Sequence, residues 1–170
     1  MIALVLGGTR SGKSEVGERI AAGLGGPVTF LATATVTDPD MAARVAVHRA
    51  RRPPSWNTVE CADDLPDVVA KVDGTVLVDS LGTWVAQAQE MRVDGERLVT
   101  ALTERRDSSV VVSEEVGLSV HAPTEAGRRF ADALGALNTM VAGVADRVLL
   151  VVAGRALLLP AVDDAFRERG

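Results

Sequence analysis

Short apolar, β-branched runs alternate along the chain with longer stretches whose apolar residues recur at helical spacing. Residues 2–6 predict a first strand, 14 to about 24 a helix, and 27–32 a second strand. Asp38-Pro39-Asp40 is a helix start, with an acceptor at the cap and proline in the first turn. That helix is expected to end near residues 50–51, because Pro53 disfavours helical geometry at Arg52. Residues 63–71 predict a short helix and 75–79 a buried strand. A helical pattern then runs to 107, interrupted near Asp94-Gly95. Residues 110–113 predict another strand and 123 to about 145 the longest helix. Residues 147–152 and 156–159 flank Ala153-Gly154-Arg155, as a closing hairpin would. Such alternation predicts an α/β fold: a mostly parallel open sheet with helices on both faces and a C-terminal hairpin. No repeat, low-complexity tract or long linker breaks the pattern, so one domain over 1–170 is expected.

The turn after the first strand carries specific chemistry. Gly7-Gly8-Thr9-Arg10-Ser11-Gly12-Lys13-Ser14 matches G-x-x-x-x-G-K-[ST], between an apolar strand and a helix. In such a phosphate loop the glycines let the backbone curl so that its N–H groups point at phosphate oxygens, and the helix N-terminus adds partial positive charge. Lys13 is expected to reach the β/γ-phosphates of a nucleotide and the Ser14 hydroxyl to hold Mg²⁺. The predicted sheet is therefore of the P-loop, RecA-like kind. Asp79 ends the apolar strand 75–79, where a carboxylate is the usual magnesium partner of a phosphate loop. The alternative for Asp79 is a cap on the following helix. The chain has no Asn-Lys-x-Asp element to read guanine.

Composition narrows the setting. With 47% hydrophobic and 24% charged residues the chain has ample material for a core, which excludes disorder. No apolar run approaches the roughly 20 residues of a spanning helix, and residues 1–6 read as a strand rather than a signal peptide. The lone Cys61 excludes an internal disulfide and suits a reducing compartment, and the missing targeting segment with the need for nucleoside triphosphates predicts a cytoplasmic location. The net charge of −5 argues against nucleic acid as partner. Basic residues cluster once, at Arg49, Arg51 and Arg52, just after His48.

His48 lies three residues after Val45 and seven after Met41, on one face of the predicted helix. It reads either as a partly buried core histidine or, given those arginines, as a nucleophile. A neutral imidazole can attack phosphorus, and neighbouring arginines keep its nitrogen unprotonated while neutralising a triphosphate. The arginines alone would be an ordinary solvated charge run.

Several blocks occur in one order along the chain: the phosphate loop, Phe30-Leu31-Ala32-Thr33-Ala34, and His48-x-x-x-Arg52-Pro53-x-x-Trp56 with Thr58-Val59-Glu60. Ser113-Glu114-Glu115-Val116-Gly117 follows, then Arg129-Phe130, Asp132, Gly135 and Asn138 ahead of Ala145-Asp146. This set resembles, essentially end to end, the bifunctional adenosylcobinamide kinase / adenosylcobinamide-phosphate guanylyltransferase family of cobalamin biosynthesis. The resemblance implies two reactions. A nucleoside triphosphate, ATP or GTP, phosphorylates the aminopropanol hydroxyl of adenosylcobinamide; GTP then gives GMP, through a histidine, to the resulting phosphate, forming adenosylcobinamide-GDP. His48 matches the guanylylated histidine. The phosphate loop, Ala32, Thr33, Ala34, Arg49, Ala50, Arg51, Arg52, Glu60 and Asp79 match nucleotide-contacting positions. The resemblance also implies a homotrimer. Glu60 is then expected to accept from guanine N1–H and the 2-amino group; otherwise it is an exposed strand-end glutamate.

Two positions depart from the pattern: Glu114 stands where asparagine is usual, and residues 49–52 are more basic than typical. His121 matches no role. The residues alone leave open a chain that retains one of the two activities, and a P-loop switch that binds nucleotide without small-molecule turnover. The corrinoid rests wholly on the resemblance.

Overall fold

The computed structural model describes residues 1–34, 52–61, 64–118, 120 and 122–167. The expected helix after Asp38, with His48, Arg49, Ala50 and Arg51, lies outside the described residues, as does His121. In chain order the elements are β1 (Ile2–Gly7), α1 (Lys13–Gly23), β2 (Val28–Ala32), β3 (Asn57–Glu60), α2 (Leu65–Lys71), β4 (Thr75–Asp79) and α3 (Leu81–Gln87). A 3₁₀ turn (Gln89–Met91) leads to α4 (Gly95–Glu104), β5 (Ser109–Glu114), α5 (Glu125–Ala142), β6 (Arg147–Val152), β7 (Arg155–Leu159) and α6 (Val162–Arg167).

The seven strands form one sheet in the order β3-β2-β4-β5-β1-β6-β7. All pairings are parallel except the β6–β7 hairpin, in which Val152 lies opposite Arg155. Side chains alternate between the two faces as the pleat requires. Leu4, Leu31, Val76, Val78 and Val111 join the core under α2 to α5, whereas Val5, Phe30, Leu77, Val110 and Val112 face the side that carries α1. Buried on both faces, the central strands are the continuous apolar runs seen in the sequence.

The differences from the sequence pattern have local causes. β3 enters the sequence reading only through Glu60 as a strand-end residue: Asn57–Glu60 is short, polar and largely exposed at the sheet edge, so no apolar alternation marks it. The predicted interruption near Asp94-Gly95 is real, because Asp94 caps α4 by accepting from the Arg97 N–H at 2.9 Å. The longest helix starts at Glu125, capped by Thr124, and stops at Ala142 instead of running from 123 to 145.

The seat of α1 fixes the loop before it. A Cβ on Gly17 would lie 2.7 Å from Val112 Cγ2 and 3.3 Å from Leu77 Cδ1. Glycine there lets the helix lie close on β4 and β5, so its N-terminus stands over the C-terminal ends of the central strands.

Candidate functional site

The phosphate loop begins where β1 ends. Gly12 adopts φ +93° directly before α1, a conformation that disfavours any residue with a Cβ. Arg10 is also left-handed, at φ +57°. The Ser11 N–H donates to Gly8 O at 3.2 Å, and the Ser11 carbonyl accepts from the Gly154 N–H at 2.7 Å. The β6–β7 hairpin turn, beside β1, thus braces the loop, a contact the sequence did not signal.

Strand order brings three further ends to the loop. The Ser14 hydroxyl donates to Asp79 Oδ1 at 3.2 Å, so the two expected magnesium partners meet. Burial is the main cause that pushes the Asp79 carboxyl from 3.8 up to about 6. Glu114 and Glu18 add to the rise, while the Ser14 hydrogen bond and Lys13 oppose it. Such a carboxylate gains on meeting a cation, and a hydroxyl beside it is the hard oxygen pair that Mg²⁺ takes. The Lys13 ammonium lies 3.4 Å from Glu114 Oε1 and 3.5 Å from Gly8 O, its side chain only 12% exposed. Glu114 ends β5, and both its oxygens accept from the Ser80 hydroxyl at 3.0 Å. A Cβ on Gly82 would fall 1.9 Å from Glu114 Oε2, so glycine makes room for the carboxylate.

β2 joins through a hydroxyl network. Thr33, fully buried just beyond β2, donates to Ser80 O at 2.7 Å and accepts from the Ser80 N–H at 3.0 Å. Ser80 also caps α3 in a reciprocal box with Thr83. Asp79 therefore does not cap α3; the next residue does, and the carboxylate faces Ser14. Only the Ser80-x-x-Thr83 spacing could have pointed to this network.

Glu60 is exposed at the end of β3, in register with Ala32. Four strand spacings separate β3 from β1, roughly 19 Å at about 4.8 Å each. Glu60 thus shares the C-terminal edge of the sheet with the loop but does not meet it. The Arg52 guanidinium lies 3.6 Å over the Phe30 ring and donates to Thr58 Oγ1 at 3.4 Å. This contact ties the segment before β3 to β2.

The geometry is that of a nucleotide site, and comparison names its kind. Residues 3–159 match the family described as cobinamide kinase / cobinamide phosphate guanyltransferase. The chain belongs to this family. It is 40% identical over 160 residues to the bifunctional adenosylcobalamin biosynthesis protein CobP of Pseudomonas aeruginosa, covering 89% of this chain and 92% of that one. It is 32% identical over 176 residues to the bifunctional adenosylcobalamin biosynthesis protein CobU of Salmonella typhimurium, covering 91% and 97%. Among solved structures it is similar to the flagellar accessory protein FlaH of Methanocaldococcus jannaschii, with a TM-score of 0.54 at 14% identity over 93% of this chain and 77% of that one. A Pyrococcus horikoshii protein gives the same TM-score at 9% identity, covering 96% and 88%. These likenesses concern the fold, a P-loop α/β sheet, which agrees with the architecture read from the sequence. No helix among the described residues is long and apolar enough to cross a membrane.

Proposed function

We propose that this family member is a cytoplasmic, bifunctional adenosylcobinamide kinase and adenosylcobinamide-phosphate guanylyltransferase, built as one domain over 1–170. The observation that carries the reading is the Ser14–Asp79 pair beside Lys13, in the phosphate loop of a chain of this family.

In the kinase step, loop N–H groups and Lys13 hold the triphosphate. The aminopropanol hydroxyl oxygen then bonds to the γ-phosphorus and gives up its proton to the transferred phosphate or to water, the bond to the β-phosphate bridge breaks, and the nucleoside diphosphate leaves. Ser14 and Asp79 would hold Mg²⁺, which when bound supplies charge neutralisation on the phosphates. In the transfer step a His48 imidazole nitrogen bonds to the α-phosphorus of GTP and pyrophosphate leaves. An oxygen of the acceptor phosphate next displaces the imidazole, giving adenosylcobinamide-GDP. Arg49, Arg51 and Arg52 would neutralise the departing pyrophosphate, and Glu60 would read guanine. Ala32, Ala34 and Ala50 would contact the nucleotide through the C-terminal edge of β2 and the His48 segment, while Thr33, buried and bonded to Ser80, would fix that edge from beneath and not touch the nucleotide. Exposed Val152, Leu157 and Leu158 on the β6–β7 hairpin offer apolar surface for the expected homotrimer.

The test is to incubate the protein with Mg²⁺ and GTP labelled at the α- or the γ-phosphate. Acid-labile, alkali-stable label is expected from the α-phosphate only, lost in His48→Ala and no longer selective for GTP over ATP in Glu60→Gln. Absence of label, or label from the γ-phosphate, would overturn the nucleotidyl relay.

A further inference from the structure

Asp132 and Gly135, on successive turns of α5, take part in neither nucleotide binding nor the sheet core. They line a cleft of about 440 Å³ between α5 and the chain that leaves β5, with Leu6, Glu115, Val116 and Gly117 on its other walls. Three features distinguish it from a chance gap. It opens beside the phosphate loop: Leu6 precedes Gly7, and the Glu115 N–H donates to Gly7 O at 3.1 Å. Its framework is fixed, since Asn138 accepts from Ser113 Oγ at 2.6 Å and donates to Glu114 O at 2.9 Å. Glu115 is committed to its own turn, accepting from the N–H groups of Gly117 at 2.7 Å and Leu118 at 3.0 Å.

The cleft is also held open. Gly135 lies inside an 18-residue helix, where glycine is a poor helix former. A Cβ there would meet only Val116 Cγ2, at 4.0 Å, so packing does not require glycine. The missing side chain leaves volume. Facing it, Asp132 is exposed and makes no hydrogen bond or ion pair among the described residues. The neighbouring cation, Arg128, is occupied with the carbonyls of Ala122 and Pro123 at 3.1 and 3.2 Å. The cleft therefore presents one uncommitted anionic acceptor, above a floor of Leu6 and Val116.

We propose that this cleft receives the acceptor substrate: the amide-linked alcohol arm of the corrinoid and the carboxamides beside it, whose N–H groups donate to Asp132. The inference rests on the proposed function. The volume suits an arm and the rim of a ring, not a whole corrinoid, so the macrocycle stays outside. An arm lying along Leu6 and Val116 directs its terminal oxygen toward the phosphate loop, the approach an in-line displacement needs.

Steady-state kinetics of Gly135→Leu and Asp132→Ala, with adenosylcobinamide varied at saturating ATP, tests this. Gly135→Leu fills the cleft and favours the helix, and its thermal unfolding reports whether it folds. Asp132→Ala is expected to raise the KM for adenosylcobinamide about tenfold, the size of one lost charge-assisted hydrogen bond, and Gly135→Leu, which fills the cleft, to raise it at least as much. Asp132→Asn, which keeps an acceptor oxygen, recovers part of the loss. The KM for ATP and the self-labelling by α-labelled GTP without acceptor stay at wild-type values. An unchanged acceptor KM in folded Gly135→Leu would overturn the assignment, as would a parallel rise in nucleotide KM. A wild-type protein that labels with GTP but phosphorylates no adenosylcobinamide overturns the kinase half of the proposed function, and with it the occupant named here.

Discussion

Replacing Asp79 by asparagine is expected to make the nucleotide-free protein more stable while disabling it. The rise of the Asp79 carboxyl from 3.8 to about 6 corresponds to about 3 kcal/mol held against the charged form, at about 1.4 kcal/mol per pH unit. Asp79 keeps partial contact with solvent, and an asparagine amide must find a partner of its own. The net gain from Asp79→Asn near neutral pH is therefore about 1–2 kcal/mol, or roughly 2–8 °C in Tm for a chain of this size. The sign follows from linkage. A folded-state value above the unfolded one means that the favourable contribution is intact below about pH 4 and lost as the pH rises through about 6. Thermal melts without nucleotide at pH 7.5 should place Asp79→Asn above wild type, with the gap closing toward pH 4.5. Mg²⁺ with nucleotide should reverse the order, because only the wild type gains from the cation. A variant less stable at pH 7.5, or a gap of equal size at both pH values, would refute the claim that burial of an unneutralised carboxylate strains this site.

Two further outcomes check other parts of the structure. Arg105 donates to the carbonyls of Val69, Val72 and Gly74, joining the end of α2 to the turn before β4. Arg105→Met should cost about 2–3 kcal/mol in urea unfolding, since partly buried carbonyls lose their donors, and a loss below about 0.5 kcal/mol would contradict that role. Glu114→Gln should tighten nucleotide binding about two- to fivefold in a fluorescence titration. Lys13 then no longer divides its charge between the carboxylate and the phosphates. Weaker binding would instead make Glu114 a support for the nucleotide.

The legible parts of the site are those carried by contiguous residues. Gly7 to Ser14 encode their own turn, because strand, glycines and helix start lie within one stretch whose backbone conformation is set locally. Asp79 was legible for a related reason: an apolar run that ends in a carboxylate marks the end of a buried strand. β3 was not, since a polar edge strand is defined by the neighbour it pairs with and not by its own alternation. Spacing and charge singled out His48 and its arginines, and the family resemblance gave His48 its role; of these residues only Arg52 is among the described ones.

What spacing along the chain cannot encode is lateral order. Lys13 and Glu114 are 101 positions apart in sequence, yet they meet because β5 enters the sheet between β1 and β4. The same insertion sets Ser80 against Glu114 and leaves Asp79 one strand further out, where Ser14 reaches it. With β5 outside β4 instead, the Lys13 ammonium would face Asp79 directly. A lysine–aspartate pair would then replace the Ser14–Asp79 hydrogen bond. Strand order therefore decides which carboxylate partners the lysine and which pairs with the Ser14 hydroxyl. Glu114 draws the ammonium toward β5, and the buried Asp79 carboxyl keeps its raised affinity for a proton.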